Sequence, residues 1–209
     1  MTFSNTVKIT LLALLIAACG TPEKKSKLLL PVFGKKMVVN NDTVYHTIKN
    51  FSLINQWGDS VNKQTVKNKI YVANFFFTTC KSICPEMSTN LVDVQKAFLK
   101  DDSVLILSHS VNPDYDTVQV LQSYSFIYKT VQNKWHLLTG NKKQIYSLAK
   151  ESYLVNALED DGSREGFIHS ELFLLIDTKS RIRGMYDGTD KGQVQKLISD
   201  IRLLKRERD

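Results

Sequence analysis

The sequence predicts a mixed α/β domain, a central sheet flanked by helices, and three observations carry that prediction. Two runs of strand length, IYVANFFF at 70–77 and SVLILSHSV at 103–111, are rich in the β-branched and aromatic residues of buried central strands. Between them Met87, Leu91, Val94, Phe98 and Leu99 recur near helical spacing, with Pro85 placed where a first helical turn accepts proline. Toward the end, ELFLLIDTKSRIRGMY at 171–186 reads as a hairpin and 191–206 as a closing helix.

The remaining elements follow in order. Residues 116–129 and 141–153 read as helices on the crossover, with the short WHLLTG segment between them. Strand, helix, parallel strand, then hairpin and helix is the order of a thioredoxin-like α/β domain. In open sheets of this class, ligand sites favour the carboxyl ends of strands. Cys80 and Cys84 follow the first strand directly, at such an end.

The start of the chain sets the compartment. Lys8 and the amino terminus precede an apolar core from Ile9 to Ala17, too short to span a bilayer and typical of an export signal over residues 1–18. Ile16-Ala17-Ala18-Cys19 followed by Gly20 has the pattern of a bacterial lipobox, in which Cys19 carries lipid and becomes the new first residue. An ordinary cleaved signal with Cys19 as a bystander is the alternative. Residues 19–43 mix lysines, prolines and short apolar patches without a sustained period, which reads as a lipid-anchored tether leading into a domain over 44–209. The expected location is therefore that of an exported bacterial lipoprotein, membrane-anchored and facing the periplasm or the cell exterior.

Composition bounds the function. With 43% hydrophobic and 23% charged residues, the chain has the make-up of one ordinary globular domain. Loss of residues 1–18 removes Lys8 and no acid, taking the net charge from +7 to +6. Nucleic acid is not an expected partner for an exported lipoprotein, and the basic excess fits solvated faces with some attraction to an anionic membrane or acidic partner.

Three cysteines less one anchor leave Cys80 and Cys84 as the only thiols of the mature domain. An exported domain of this size can hold a disulfide but does not need one to build a core. If the segment is helical or turn-like, i and i+4 share a face, so both sulfurs can converge on one ion. A nearby helix amino terminus favours the thiolates that metals and redox reactions require. Two thiolates suit Cu(I), accept Zn(II), and can also close a disulfide, and spacing alone does not choose. Candidate third ligands are His46, His109, His136 and His169. The first three fit structural roles: His46 lies near the tether, His109 in a buried-looking strand, and His136 in an apolar stretch. His169 lies in GFIHSELFLLID, at the entry to the predicted hairpin, where thioredoxins carry a cis-proline; the last proline here is Pro113.

From about Tyr45 onward the chain resembles the Sco/SenC family, the thioredoxin-like copper chaperones of cytochrome c oxidase assembly. The motif T-x-C-P-x-x-C-P stands here as Thr78-Thr79-Cys80-Lys81-Ser82-Ile83-Cys84-Pro85, and S-V-D-P-x-x-D-T as Ser110-Val111-Asn112-Pro113-Asp114-Tyr115-Asp116-Thr117. W-x-x-L-T-G is matched by Trp135 to Gly140, and the D-H-S/T element by Ile168-His169-Ser170. The resemblance implies a copper site of Cys80, Cys84 and His169, able to hold Cu(I) and also Cu(II), and a partner in the copper-bearing subunit of cytochrome c oxidase or another cuproprotein. Lys81, Asn112, Tyr115 and Ile168 depart from the family pattern, which bears on affinity and delivery target. The rival expectation is a thiol–disulfide oxidoreductase using Cys80 and Cys84 to reduce a cuproprotein or in redox defence. Against it stand the three-residue spacing and the lack of a tryptophan before Cys80. A binding module with a buried disulfide is the third reading.

Overall fold

The computed structural model describes residues 29–155 and 170–208, so the expected leader, Cys19 and His169 lie outside the described residues. The first element is a hairpin of β1 (Lys36–Val39) and β2 (Asp42–Tyr45). Asn40 and Asn41 join the strands with φ of 49° and 65°, the left-handed pair a two-residue hairpin turn needs and asparagine tolerates. A second hairpin follows, β3 (Ser52–Asn55) with β4 (Ser60–Asn62). Then come β5 (Ile70–Phe76), α1 (Cys84–Ala97), β6 (Val104–Ser110), α2 (Val118–Tyr128) and β7 (Trp135–Thr139). Helix α3 (Lys142–Ser147) runs into a π-helical turn, Leu148–Ser152. The chain closes with β8 (Leu172–Ile176), β9 (Ile182–Asp187) and α4 (Lys191–Arg208).

Seven strands form one sheet in the order β4-β3-β7-β6-β5-β8-β9. β5, β6 and β7 are parallel, while β3 and β8 join them antiparallel and β9 pairs antiparallel with β8. Every residue of β5 and β6 is buried, which is why both open with continuous apolar stretches, Ile70–Ala73 and Val104–Leu107, rather than alternating ones. The carboxyl ends of β5 and β6 form one pole of the domain. The opposite pole holds the start of β5, the end of α1, the β8–β9 turn and the end of α4, which Lys205 ties to Asp101 in the loop after α1.

Two segments differ from the sequence expectation. The WHLLTG segment, placed between two helices without an element of its own, holds a core strand, Trp135–Thr139. Trp135 is fully buried and donates through Nε1 to Ser108 Oγ at 2.9 Å, and Gln56 pairs with the β7 backbone at the Trp135 carbonyl (2.9 Å) and the Leu137 amide (2.8 Å). The folded domain also takes in residues 30–43, upstream of the expected boundary at residue 44. Buried Arg183, bonded to Asp177 (3.2 Å) and Glu207 (2.6 Å), also donates to the carbonyls of Leu30 (2.7 Å) and Pro31 (3.0 Å). A buried guanidinium needs acceptors for all its donors, and the incoming chain supplies two of them.

His109 and His136 sit where the sequence reading put them, in structural settings. His109 is fully buried, stacked on Phe75 (5.0 Å between centroids) and near Tyr153 (5.2 Å), with Nδ1 within 3.2 Å of the Asn74 carbonyl. Burial holds its pKa down to about 4, against weaker opposing bonds to backbone carbonyls, and burial likewise holds His136 at about 4. Unfolding releases both rings to the ordinary value near 6.5. Their contribution to stability is thus full above pH 6.5 and is lost as pH falls toward 4. Urea denaturation of His109→Phe against the parent at pH 7 and pH 4 is expected to show a flatter acid loss in the variant, by on the order of 3 kcal/mol.

Candidate metal centre

Phe75, Phe76 and Phe77 are all buried and fix the exit of β5, so the chain turns sharply just past the core. The Cys80 amide donates to the Phe77 carbonyl at 3.2 Å within this turn. Cys84 is the first residue of α1, followed by Pro85 where no amide proton is needed, and the Met87 amide closes the first turn on the Ile83 carbonyl at 3.0 Å. Both cysteines are free thiols, 6% and 4% exposed, and they hydrogen-bond to each other. The two thiols thus lie within hydrogen-bonding reach of each other.

Their acidities diverge, although the sequence reading expected thiolate-favouring surroundings for both. Burial pushes the Cys80 thiol up, but bonds from the Ser82 hydroxyl (3.4 Å), the Cys84 amide, the Cys84 thiol and the Ser82 amide outweigh it and hold Cys80 below the ordinary thiol value. Burial pushes Cys84 up to about 12, helped by the Cys80 and Asp116 charges and opposed by the Phe77 amide. Helix-terminus stabilisation of Cys84 loses to burial because the residue is inside the core rather than at its rim. Peptide-resolved iodoacetamide labelling of the reduced, metal-free protein is expected to modify Cys80 well before Cys84 from pH 7 to 9. Equal rates would contradict the assignment.

The cysteine turn is pinned from below by Asp116, fully buried at the start of the segment leading into α2. Its carboxylate accepts from the Thr78 amide (3.2 Å), the Thr78 hydroxyl and the Ser110 hydroxyl. The Asn112 carbonyl accepts from the Asp116 amide at 2.9 Å, and the Asn112 amide donates to Ser110 Oγ at 3.1 Å. Two of the sequence motifs, one around Cys80 and one around Pro113, are thus the two halves of one hydrogen-bonded support. Both stretches are named from the sequence without this role, because the pairing of Thr78 with Asp116 joins residues 38 positions apart. On the other side of α1, Ser88 Oγ lies 2.8 Å from the Tyr124 hydroxyl, and Tyr124 packs on Phe76 at 5.3 Å.

Of the departures from the family pattern, Lys81 is exposed, Tyr115 is 55% exposed, and Asn112 acts through its backbone as above. Ile168 and His169 lie outside the described residues. The Ser170 hydroxyl accepts from the Leu172 amide at 3.3 Å. Glu171 accepts from the Gly188 amide at 2.6 Å, and Asn90 on α1 donates to the Gly188 carbonyl at 2.8 Å. The amino end of β8 is in this way tied to the cysteine helix, at the pole where β5 ends. A side chain at Gly188 would collide with Phe173 and the Glu171 carbonyl, so glycine permits that tie. Among the described residues no group of three or more His, Cys, Asp and Glu side chains is arranged to hold a metal ion. His46 is engaged elsewhere, its Nε2 2.7 Å from the Ser152 carbonyl.

Comparison with known proteins follows the same lines. The SCO1/SenC family model matches residues 40–205. The SCO1 protein homolog of Bacillus subtilis (strain 168) is 28% identical over 163 residues, 77% of this chain and 84% of that protein. The crystal structure of a SCO1/SenC family lipoprotein from Bacillus anthracis str. Ames superposes with TM-score 0.68 at 28% identity, covering 77% of this chain and 95% of that one. BsSco, a member of the Sco family of cytochrome c oxidase assembly proteins with an identified disulfide switch, gives 0.66 at 27% identity over 76% and 93% of the two chains. Copper-bound ScoI of Arabidopsis thaliana, at 24% identity and TM-score 0.60 over 76% and 98%, shares the fold. The expected thioredoxin-like class holds in three dimensions, and with a family match spanning nearly the whole described domain, this chain belongs to the SCO1/SenC family.

Proposed function

We propose that this protein is a membrane-anchored copper chaperone that carries one copper ion on Cys80, Cys84 and His169 and serves assembly of the copper site of cytochrome c oxidase. The observation that carries the reading is the pair of free, buried thiols converging at a strand end. Soft sulfur donors in a largely dry setting match Cu(I), the softest of the available ions. Support for His169 as third donor comes from the tie between the amino end of β8 and α1, since His169 immediately precedes Ser170. Cys19 is the proposed lipid attachment point, in keeping with the lipoprotein relative of B. anthracis. Among the described residues no helix is long and apolar enough to cross a membrane.

Loading requires both thiols to give up their protons, and the raised Cys84 makes it the later of the two. Asp116 holds the turn so that the sulfurs remain converged while the ion enters or leaves. Release proceeds by exchange, as a recipient's donors replace these ligands in turn. Closure of a Cys80–Cys84 disulfide, with loss of two electrons and two protons to an external oxidant, removes both sulfur donors and blocks loading. The test is Cu(I) competition titration of the reduced protein beside a disulfide-turnover assay. One tightly held Cu(I) per chain and negligible turnover are expected. Rapid turnover abolished by Cys80→Ser, with no copper retained, would establish the thiol–disulfide oxidoreductase reading instead.

A further inference from the structure

The pole opposite the cysteines carries features that copper handling does not use. The β1–β2 hairpin pairs with no other strand. Met37 stands opposite Val44, with Val39 on the same face, and these side chains are 60%, 44% and 49% exposed. Val38, on the other face, is 74% exposed. Leu99, in the loop after α1, is exposed at the same pole. An exposed apolar cluster of this kind, interrupted on its Met37 face by Asp42 opposite Val39, calls for a partner. Around it the charge is basic. Lys35 and Lys36 lead into the hairpin, Lys179 sits in the β8–β9 turn, and an open groove of about 500 Å³ between the ends of α1 and α4 is lined by Lys100, Arg202 and Arg206. The acids nearby are Asp42 on the hairpin, Asp102, Asp101 bonded to Lys205, Asp177 and Glu207 bonded to Arg183, and Glu151 bonded to Lys49, so that most of them are already matched by a cation.

We propose that this pole is a bilayer-docking surface: the hairpin's apolar face enters the headgroup region of an anionic membrane, the surrounding lysines and arginines bind lipid phosphates, and the cysteine corner is held facing away. The place of the chain's entry selects a membrane over a protein or a second copy. Leu30 and Pro31 are held to Arg183 at this pole, so residue 29 emerges here. The ten peptide steps from Cys19 to Leu29 reach at most about 35 Å, which keeps this pole beside the bilayer if Cys19 is lipidated. That clause rests on the proposed anchor; the apolar and basic surfaces do not. Apolar insertion combined with basic contacts is the usual physics of interfacial binding. β5 separates the two poles by about 20 Å, so docking presents the thiols to a partner's exposed domain and withholds them from lipid.

The test is hydrogen exchange, read by mass spectrometry, on the mature full chain reconstituted in phosphatidylcholine vesicles containing about one third phosphatidylglycerol, against the same chain in detergent micelles. Peptides covering 36–45 and 98–102 are expected to exchange at least about tenfold more slowly on the vesicles, with 78–84 unchanged. Met37→Asp with Val44→Asp should abolish that protection while circular dichroism and vesicle flotation are retained. The mass of the mature chain reports independently whether Cys19 carries lipid, and exchange is read on whichever mature form the cell makes. Flotation without hairpin protection overturns the docking surface and leaves the anchor standing. Protection that grows with protein concentration in the absence of vesicles assigns the face to a second copy and overturns the proposal.

Discussion

Replacing Cys80 or Cys84 with serine is expected to weaken Cu(I) binding by more than about 100-fold, and His169→Ala by about 10- to 100-fold. The ranking follows from donor chemistry. A serine hydroxyl is a hard donor that a soft monovalent ion does not accept in place of thiolate, and one sulfur leaves the ion with a single strong bond. Residues that merely orient a ligand already change affinity about 10- to 100-fold, so a lost sulfur must exceed that range. Cu(I) competition against a chromogenic chelator reads all three variants under reducing conditions. A Cys84→Ser protein that binds as tightly as the parent would remove the paired-sulfur basis of the site.

Asp116→Ala is expected to destabilise the domain by about 3 kcal/mol, measured by urea denaturation. Three donors converge on this carboxylate: the Thr78 amide, the Thr78 hydroxyl and the Ser110 hydroxyl. Truncation strands these donors, and a buried donor without an acceptor loses its full desolvation cost. Asp116→Asn keeps one acceptor oxygen and should lose less, about 1–2 kcal/mol. It should also speed alkylation of Cys84, because the Asp116 charge is one of the groups holding that thiol up. A purely structural loss would lower stability without moving the Cys84 rate, so the two measurements separate support of the fold from tuning of the thiol.

How far the sequence revealed this depended on whether burial left a pattern in it. β5 and β6 were legible because both faces are covered, so that each opens with four consecutive apolar residues, Ile70–Ala73 and Val104–Leu107. Helix α1 was legible from its buried stripe of Met87, Leu91 and Val94. The β1–β2 hairpin was not, since nearly all its residues are exposed and leave no alternation to read. β7 is buried throughout, but five residues of which Trp135, Leu137 and Leu138 are apolar do not say strand until β6 and Gln56 supply hydrogen-bond partners. At the site, the positions of Cys80 and Cys84 were readable and their unequal acidities were not. Acidity depends on how deeply each sulfur is packed and on Asp116, which is 38 positions from the Thr78 it binds.

The central claim is that one copper ion sits on two sulfurs and a histidine nitrogen. X-ray absorption at the copper edge of the Cu(I)-loaded protein, with and without His169→Ala, tests it most directly. Two sulfur donors and one nitrogen donor are expected in the parent, with loss of the nitrogen and retention of both sulfurs in the variant. An unchanged spectrum in His169→Ala, or a parent site with fewer than two sulfurs, would contradict it.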